Sequence, residues 1–139
     1  MTTDRSGRVL GLDHGSRRVG VAVSDALRLT AHALEVVPRH LAVSRVAELV
    51  EELGINQVVV GLPTSLSGVE GAAAAAARRF AADVAAATGR DVVLIDERYS
   101  TVTAEKTMLA AGSKRRARRQ SLDKVAAAII LQSFLDRPS

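Results

Sequence analysis

Three acidic residues stand where a carboxylate is expected to be exposed but rigidly held: Asp13 in LGLDHG, Glu97 in LIDERYST and Asp123 in SLDKVAAAIILQ. Each marks a boundary between apolar chain and polar loop. Carboxylates gathered at the ends of buried strands and helices are the oxygen donors that hard divalent cations take. Two Mg²⁺ or Mn²⁺ ions about 4 Å apart hold a scissile phosphate, activate water and stabilise the leaving oxygen. The three acids therefore point to a metal-dependent phosphodiester chemistry. Each also has a plainer reading on its own. An Asp in the first turn of a helix complements the helix dipole, and an Asp after a strand caps a turn. Spacing alone does not bring the three together.

The cations are as unevenly placed as the acids. Lys114, Arg115, Arg116, Arg118 and Arg119 put five positive charges within six residues. Removing those five from the formal net charge of +4 leaves the remainder at −1. The basicity is local, as a phosphate-contacting segment requires. A solvated charged loop is the competing reading. Arg17 and Arg18 sit close enough in sequence to Asp13 to touch a phosphate beside it. The turn Gly15-Ser-Arg-Arg-Val-Gly20 is not a P-loop, because Val21 and Ala22 stand where Lys and Ser/Thr must follow. Among the histidines, His14 adjoins Asp13 and reads as a turn residue, while His32 and His40 lack metal-ligand spacing.

Several function classes are excluded. With no cysteine, disulfides, cysteine zinc sites and thiol nucleophiles are absent. Phe80, Tyr99 and Phe134 are the only aromatics, too few for an open base-stacking sheet. No apolar run approaches the roughly 20 residues of a membrane span, and MTTDRSGR lacks the apolar core of a signal peptide. A soluble, cytoplasmic protein of one domain over residues 1–139 is expected, its core about 8–136 built from Val, Leu, Ile and Ala.

The elements that must position the acids follow from periodicity. Residues 8–13 and 19–24 are β-branched runs joined by the turn His14–Arg18 and read as a hairpin. Residues 33–37 read as a third strand closed by Pro38. Ala42–Leu53 has helical spacing at Val43, Val46, Ala47 and Val50 and stops at Gly54. Residues 57–62 form a strand buried on both faces, with Gly61 to Ser65 at its mouth. Ala72–Thr88 is an alanine-rich helix stopped by Gly89, and residues 91–96 a fifth strand. Thr101–Ala111 reads as a helix, residues 114–119 as a basic loop, and Leu122–Leu135 as a last helix capped by Ser121. This order predicts an α/β fold with a mixed sheet flanked by helices.

Strand parity places Val9, Gly11 and Asp13 on one face and Leu10 and Leu12 on the other. Gly11 leaves room beside Asp13 for a ligand or a backbone. Val93, Ile95 and Glu97 likewise share a face, with Asp96 opposite. Asp123 falls in the first turn of the last helix, and Ala126 and Ala127 give that helix a flank small enough to lie close on the sheet.

These segments resemble a known family. GLDHGSRRVGVAVSD is similar to the opening signature of the YqgF/RuvX-type candidate Holliday junction resolvases, also described as pre-16S rRNA nucleases. VVVGLPTSLSGVEG, DERYSTVTAE and LDKVAAAIILQSFL resemble its later motifs in the same order, covering residues 8–136. The resemblance implies an RNase H-like fold with a mixed five-stranded sheet. It also implies a metal-binding catalytic triad of Asp13, Glu97 and Asp123, with Asp13 bridging and water as the nucleophile. Many RNase H-like nucleases carry an acid on the fourth strand, where this chain reads Val60-Gly61-Leu62, so Glu97 has to substitute. Arg17 stands where Lys is more usual.

The expected function is a Mg²⁺- or Mn²⁺-dependent nuclease on nucleic acid, with pre-16S rRNA processing favoured. Its phosphate contacts would come from Arg17, Arg18, Lys114, Arg115, Arg116, Arg118 and Arg119. Resolution of four-way DNA junctions is the near rival, and would call for a dimer; RNA trimming needs only a monomer. A non-catalytic nucleic-acid-binding factor and a small ATPase of the actin/sugar-kinase type are readings from other classes.

Overall fold

The computed structural model describes residues 7–63, 70–96 and 115–137, with side chains described from residue 124 onward in the last stretch. A five-stranded mixed sheet has the order β3-β2-β1-β4-β5. Strand β1 (Arg8–His14) and β2 (Arg18–Ser24) form the expected hairpin, with Leu12 opposite Val21 and Asp13 opposite Gly20. Its turn closes where the Gly15 N–H donates to the Arg18 carbonyl at 2.8 Å. Strand β3 (Ala31–Pro38) is an antiparallel edge and starts two residues earlier than its apolar run, because its first residues are mostly exposed. Strands β4 (Ile55–Leu62) and β5 (Asp91–Asp96) continue the sheet in parallel with β1, so β1, β4 and β5 end at one edge.

Alternation along the strands builds two cores. Leu10, Leu12, Val19, Val21, Val58 and Val60 face helices α1 (Ala42–Leu53) and α2 (Ala72–Thr88), meeting Val46, Val50, Phe80 and Val84. Within α1 the buried stripe is Ala42, Val46, Leu49 and Val50, while Val43 and Ala47 lie at its margin. Both helices end on a left-handed glycine, Gly54 at φ 65° and Gly89 at φ 66°, whose N–H bonds back to the last turn.

On the other face, Val9, Ala22, Val59 and Ile95 meet Ala126, Ala127, Ile130 and Leu131 of α3 (Arg115–Leu135). Helix α3 differs from expectation at its start. Arg115 to Arg119 are helical rather than a loop, and Ser121 lies inside the helix rather than capping it. Arginine, alanine and glutamine are all good helix formers, so ARRQ continues a helix despite its charge. Lys114 and the expected Thr101–Ala111 helix lie outside the described residues. No helix among them is long and apolar enough to cross a membrane.

Gly11 sets how closely α3 approaches. A Cβ at this position would stand 2.7 Å from Leu131 Cβ and 3.1 Å from the Ala127 carbonyl oxygen. The room beside Asp13 is thus taken by a backbone, not a ligand. Gly11→Ala is expected to destabilise the protein by about 1–3 kcal/mol, because the obstructing atoms belong to or adjoin the helix backbone. Thermal or urea unfolding measures this. Leu131→Ala should give no rescue, since its Cβ remains; a neutral Gly11→Ala would contradict the close approach.

Candidate active site

Asp13 is the sixth residue of β1, and strand parity turns it to the α3 face with Val9 and Gly11. It is not exposed as its position at the strand end predicts but 5% exposed, because α3 packs on this face of β1; its Oδ2 atom is buried and makes no hydrogen bond among the described residues. The residue opposite on β2 is Gly20. On β4, Leu12 pairs with Val60, and the next residue is Gly61. Ala22 and Val59 pack on α3, so Gly20 and Gly61, two residues along their strands, share that face. Both strands flanking Asp13 therefore lack a side chain at its level. The carboxylate is thus bordered by glycine backbone on both neighbouring strands, a feature that single-residue motifs did not reveal. The signal was present as lone glycines inside VGVAV and VVVGL, which mark close backbone or ligand approach.

The direction of α3 decides where Asp123 lies. Near its C-terminal end, Gln132 accepts a hydrogen bond from Ala31 N at 2.9 Å and donates to the Leu29 carbonyl at 3.2 Å. Ala31 pairs with Ser24, whose hydroxyl accepts from Val9 N, so this contact marks the beginning of β1. Ala127 and Leu131 lie over Gly11. Helix α3 thus runs against β1, and moving towards its N-terminus leads to the Asp13 end. Asp123 precedes Ala127 by four residues, about 6 Å of helix. Asp13 follows Gly11 by two residues, about 7 Å of strand. The backbone position of Asp123 is accordingly level with Asp13, on the helical stripe that continues to Ala126, Ala127 and Ile130.

Asp123 sits two turns inside α3, not in its first turn, which contains no acid. Its presence is therefore not accounted for by the helix dipole, whose effect fades within the first turn. Glu97 lies outside the described residues; β5 ends one residue before it at Asp96, beside Leu62 at the common edge. Of the expected triad, Asp13 is the member whose side chain is described, and the described residues alone hold no group of three potential metal ligands.

The cations divide into two places. Arg17 is exposed in the β1–β2 turn and Arg18 partly buried at the start of β2, both at the strand-end edge. Arg115, Arg116, Arg118 and Arg119 occupy the first turns of α3, about 6–12 Å of helix beyond Asp123. His14 closes β1 rather than lying in the turn. It is half-buried on the opposite face from Asp13, its ring stacked on Phe80 with centroids 4.6 Å apart. Burial lowers its pKa, the Arg39 charge lowers it further, and the Asp13 carboxylate opposes both.

Comparison with known proteins identifies the family and the fold. Residues 7–137 match the family model described as RuvX, Holliday junction resolvase. A candidate pre-16S rRNA nuclease of Pelotomaculum thermopropionicum is 45% identical over 133 residues, covering 93% of this chain and 86% of its own. Similarly described proteins of Bacillus cereus and Geobacillus kaustophilus are 42% and 44% identical, covering 94% and 93% of this chain and 98% and 97% of theirs. Among solved structures, Thermus thermophilus RuvC bound to a Holliday junction substrate superimposes with a TM-score of 0.59 at 22% identity, covering 93% of each chain. That likeness establishes the RNase H-like fold.

The helical setting of Ser121 has a direct consequence. Loss of an N-cap serine costs about 1 kcal/mol, whereas Ser→Ala inside a helix is neutral or slightly favourable. Ser121→Ala should leave the unfolding midpoint unchanged or raise it. A loss near the cap value would place the start of α3 at residue 121 after all.

Proposed function

The chain belongs to the RuvX family, and on that premise we propose that it is a divalent-metal-dependent nuclease that hydrolyses RNA phosphodiester bonds, acting in 5′-end processing of pre-16S rRNA. The observation that carries this reading is the buried Asp13 carboxylate flanked by Gly20 and Gly61, with the α3 position of Asp123 level with it. Asp13, Glu97 and Asp123 would hold Mg²⁺ or Mn²⁺. An all-carboxylate donor set suits these hard ions and does not suit zinc, which favours nitrogen and sulfur. When bound, such an ion supplies charge stabilisation at the phosphate and lowers the pKa of attacking water.

The chain's own residues contribute position and field. Gly20 and Gly61 leave no side chain on the strands beside a carboxylate that is otherwise buried between the sheet and α3. Four arginines in the first five residues of α3 carry the wrong sign for the positive end of a helix dipole. A phosphate backbone lying across the strand ends offsets that unfavourable placement, and Arg17 and Arg18 extend the cationic border on the other side. These contacts are sequence-independent and salt-sensitive. We read residues 1–139 as one nuclease domain, working in the cytoplasm where rRNA precursors are made.

RNA is favoured over branched DNA because relatives at 42–45% identity are described by that substrate. The family description favours a second reading, symmetric cleavage of four-way DNA, which requires paired active sites.

Purified wild type with Mn²⁺ should cut single-stranded RNA, and Asp13→Asn should lower kcat at least about a hundredfold while RNA affinity persists. Loss of binding together with cleavage would remove Asp13 from the proposed role. Paired nicks on a four-way junction with intact RNA would favour the resolvase reading, and no mutant-sensitive cutting of either would leave a binding factor. Separately, replacing Arg115 and Arg116 by Gln should weaken RNA binding and reduce the slope of log affinity against log salt by about 2, near 1 per lost contact.

A further inference from the structure

On the far side of the sheet from α3, at the same strand-end edge, an open groove of about 410 Å³ adjoins His14. It is lined by His14 with the turn residues Gly15 and Ser16, by Arg39, and by Ala72, Ala73 and Ala76 of α2. A volume of this size suits a small organic moiety rather than a lone ion. Among the described residues no acidic side chain lines it.

Arg39 is held in place rather than waving from the surface. Its N–H donates to the Arg17 carbonyl at 2.9 Å and its Nη1 to the Ser16 carbonyl at 3.1 Å. Among the described residues these bonds use one of its side-chain donors, and no carboxylate pairs with it. The remaining guanidinium donors form a fixed fork suited to phosphate. The stack of His14 on Phe80 fixes the imidazole that lines the groove. The methyls of Ala72, Ala73 and Ala76 give the groove an apolar surface for a sugar edge or base face.

Asp13 and His14 are consecutive, with Cα atoms about 3.8 Å apart and side chains on opposite faces. A strand draped over the end of β1 with one phosphate at Asp13 therefore passes into this groove within a nucleotide or two. We propose that the groove seats a nucleotide flanking the scissile bond of a single-stranded RNA, its phosphate on Arg39 and its sugar and base over Ala72, Ala73 and Ala76. The identity of this ligand rests on the nuclease reading above; the groove and its charge do not.

The test measures equilibrium binding of a labelled single-stranded RNA without divalent metal, comparing full-length wild type with three variants. Arg39→Gln removes the fork. Ala73→Glu puts a carboxylate at an exposed lining position in the first turn of α2, where an acid favours the helix, so the fold and turn stay intact. Arg79→Gln removes an exposed cation from the same helix outside the groove and serves as the reference. Arg39→Gln and Ala73→Glu should each bind about tenfold more weakly than Arg79→Gln, and Arg39→Gln should reduce the salt slope by about 1. If either groove variant binds like the reference, or wild type binds no RNA, the proposal is overturned. Because no metal is present, the result is separable from catalysis. Weakened groove variants alongside a fully active Asp13→Asn would keep the groove and sink the metal-site assignment.

Discussion

The contact on which the arrangement depends is the near-touching of α3 and β1 across Gly11. A missing side chain lets Leu131 Cβ and the Ala127 carbonyl approach to where a Cβ would otherwise sit. Interiors are packed tightly enough that such a contact fixes the position and not merely the presence of a helix. With Gln132 pinned to the loop before β3 and to its first residue, the helix has one orientation, and its N-terminal half is carried to the edge where β1, β4 and β5 end. In open sheets with parallel strands that edge is where ligands bind. One steric fact on β1 thus links packing to the backbone position of Asp123 on another element.

Much of this was legible because it depends on local chemistry. The α2 helix and β5 ran over the expected residues, bounded by their glycines and by β-branched composition. Parity along β1 separated Leu10 and Leu12 from Val9 and Gly11 correctly, since one buried face leaves no freedom for a slip. The small flank of Ala126 and Ala127 packs as its composition suggested.

What escaped were features that local pattern does not carry. The run of arginines before Ser121 looked like a loop because charge and a serine before an apolar stretch mimic a helix start, yet arginine favours helix nearly as much as alanine. This displaced Asp123 from a dipole-complementing first turn to a position two turns in, where its functional reading gains weight. The direction of α3 rests on a bond between residues 31 and 132, far beyond any sequence window. The glycine border of Asp13 needs Gly20 and Gly61, which only sheet registry brings level with it. The stack of His14 on Phe80, joining β1 to α2, was equally nonlocal.

The central claim is that β1 and α3 contribute carboxylates to one metal site at the strand ends. Mn²⁺ binding followed by electron paramagnetic resonance tests it without reference to any substrate. Asp13→Asn and Asp123→Asn should each weaken Mn²⁺ binding strongly, and the double variant should be far less impaired than the sum of the two, as expected for residues that act as a unit. An Asp123→Asn protein that binds Mn²⁺ like wild type would contradict the shared site and return that acid to an ordinary helical surface role.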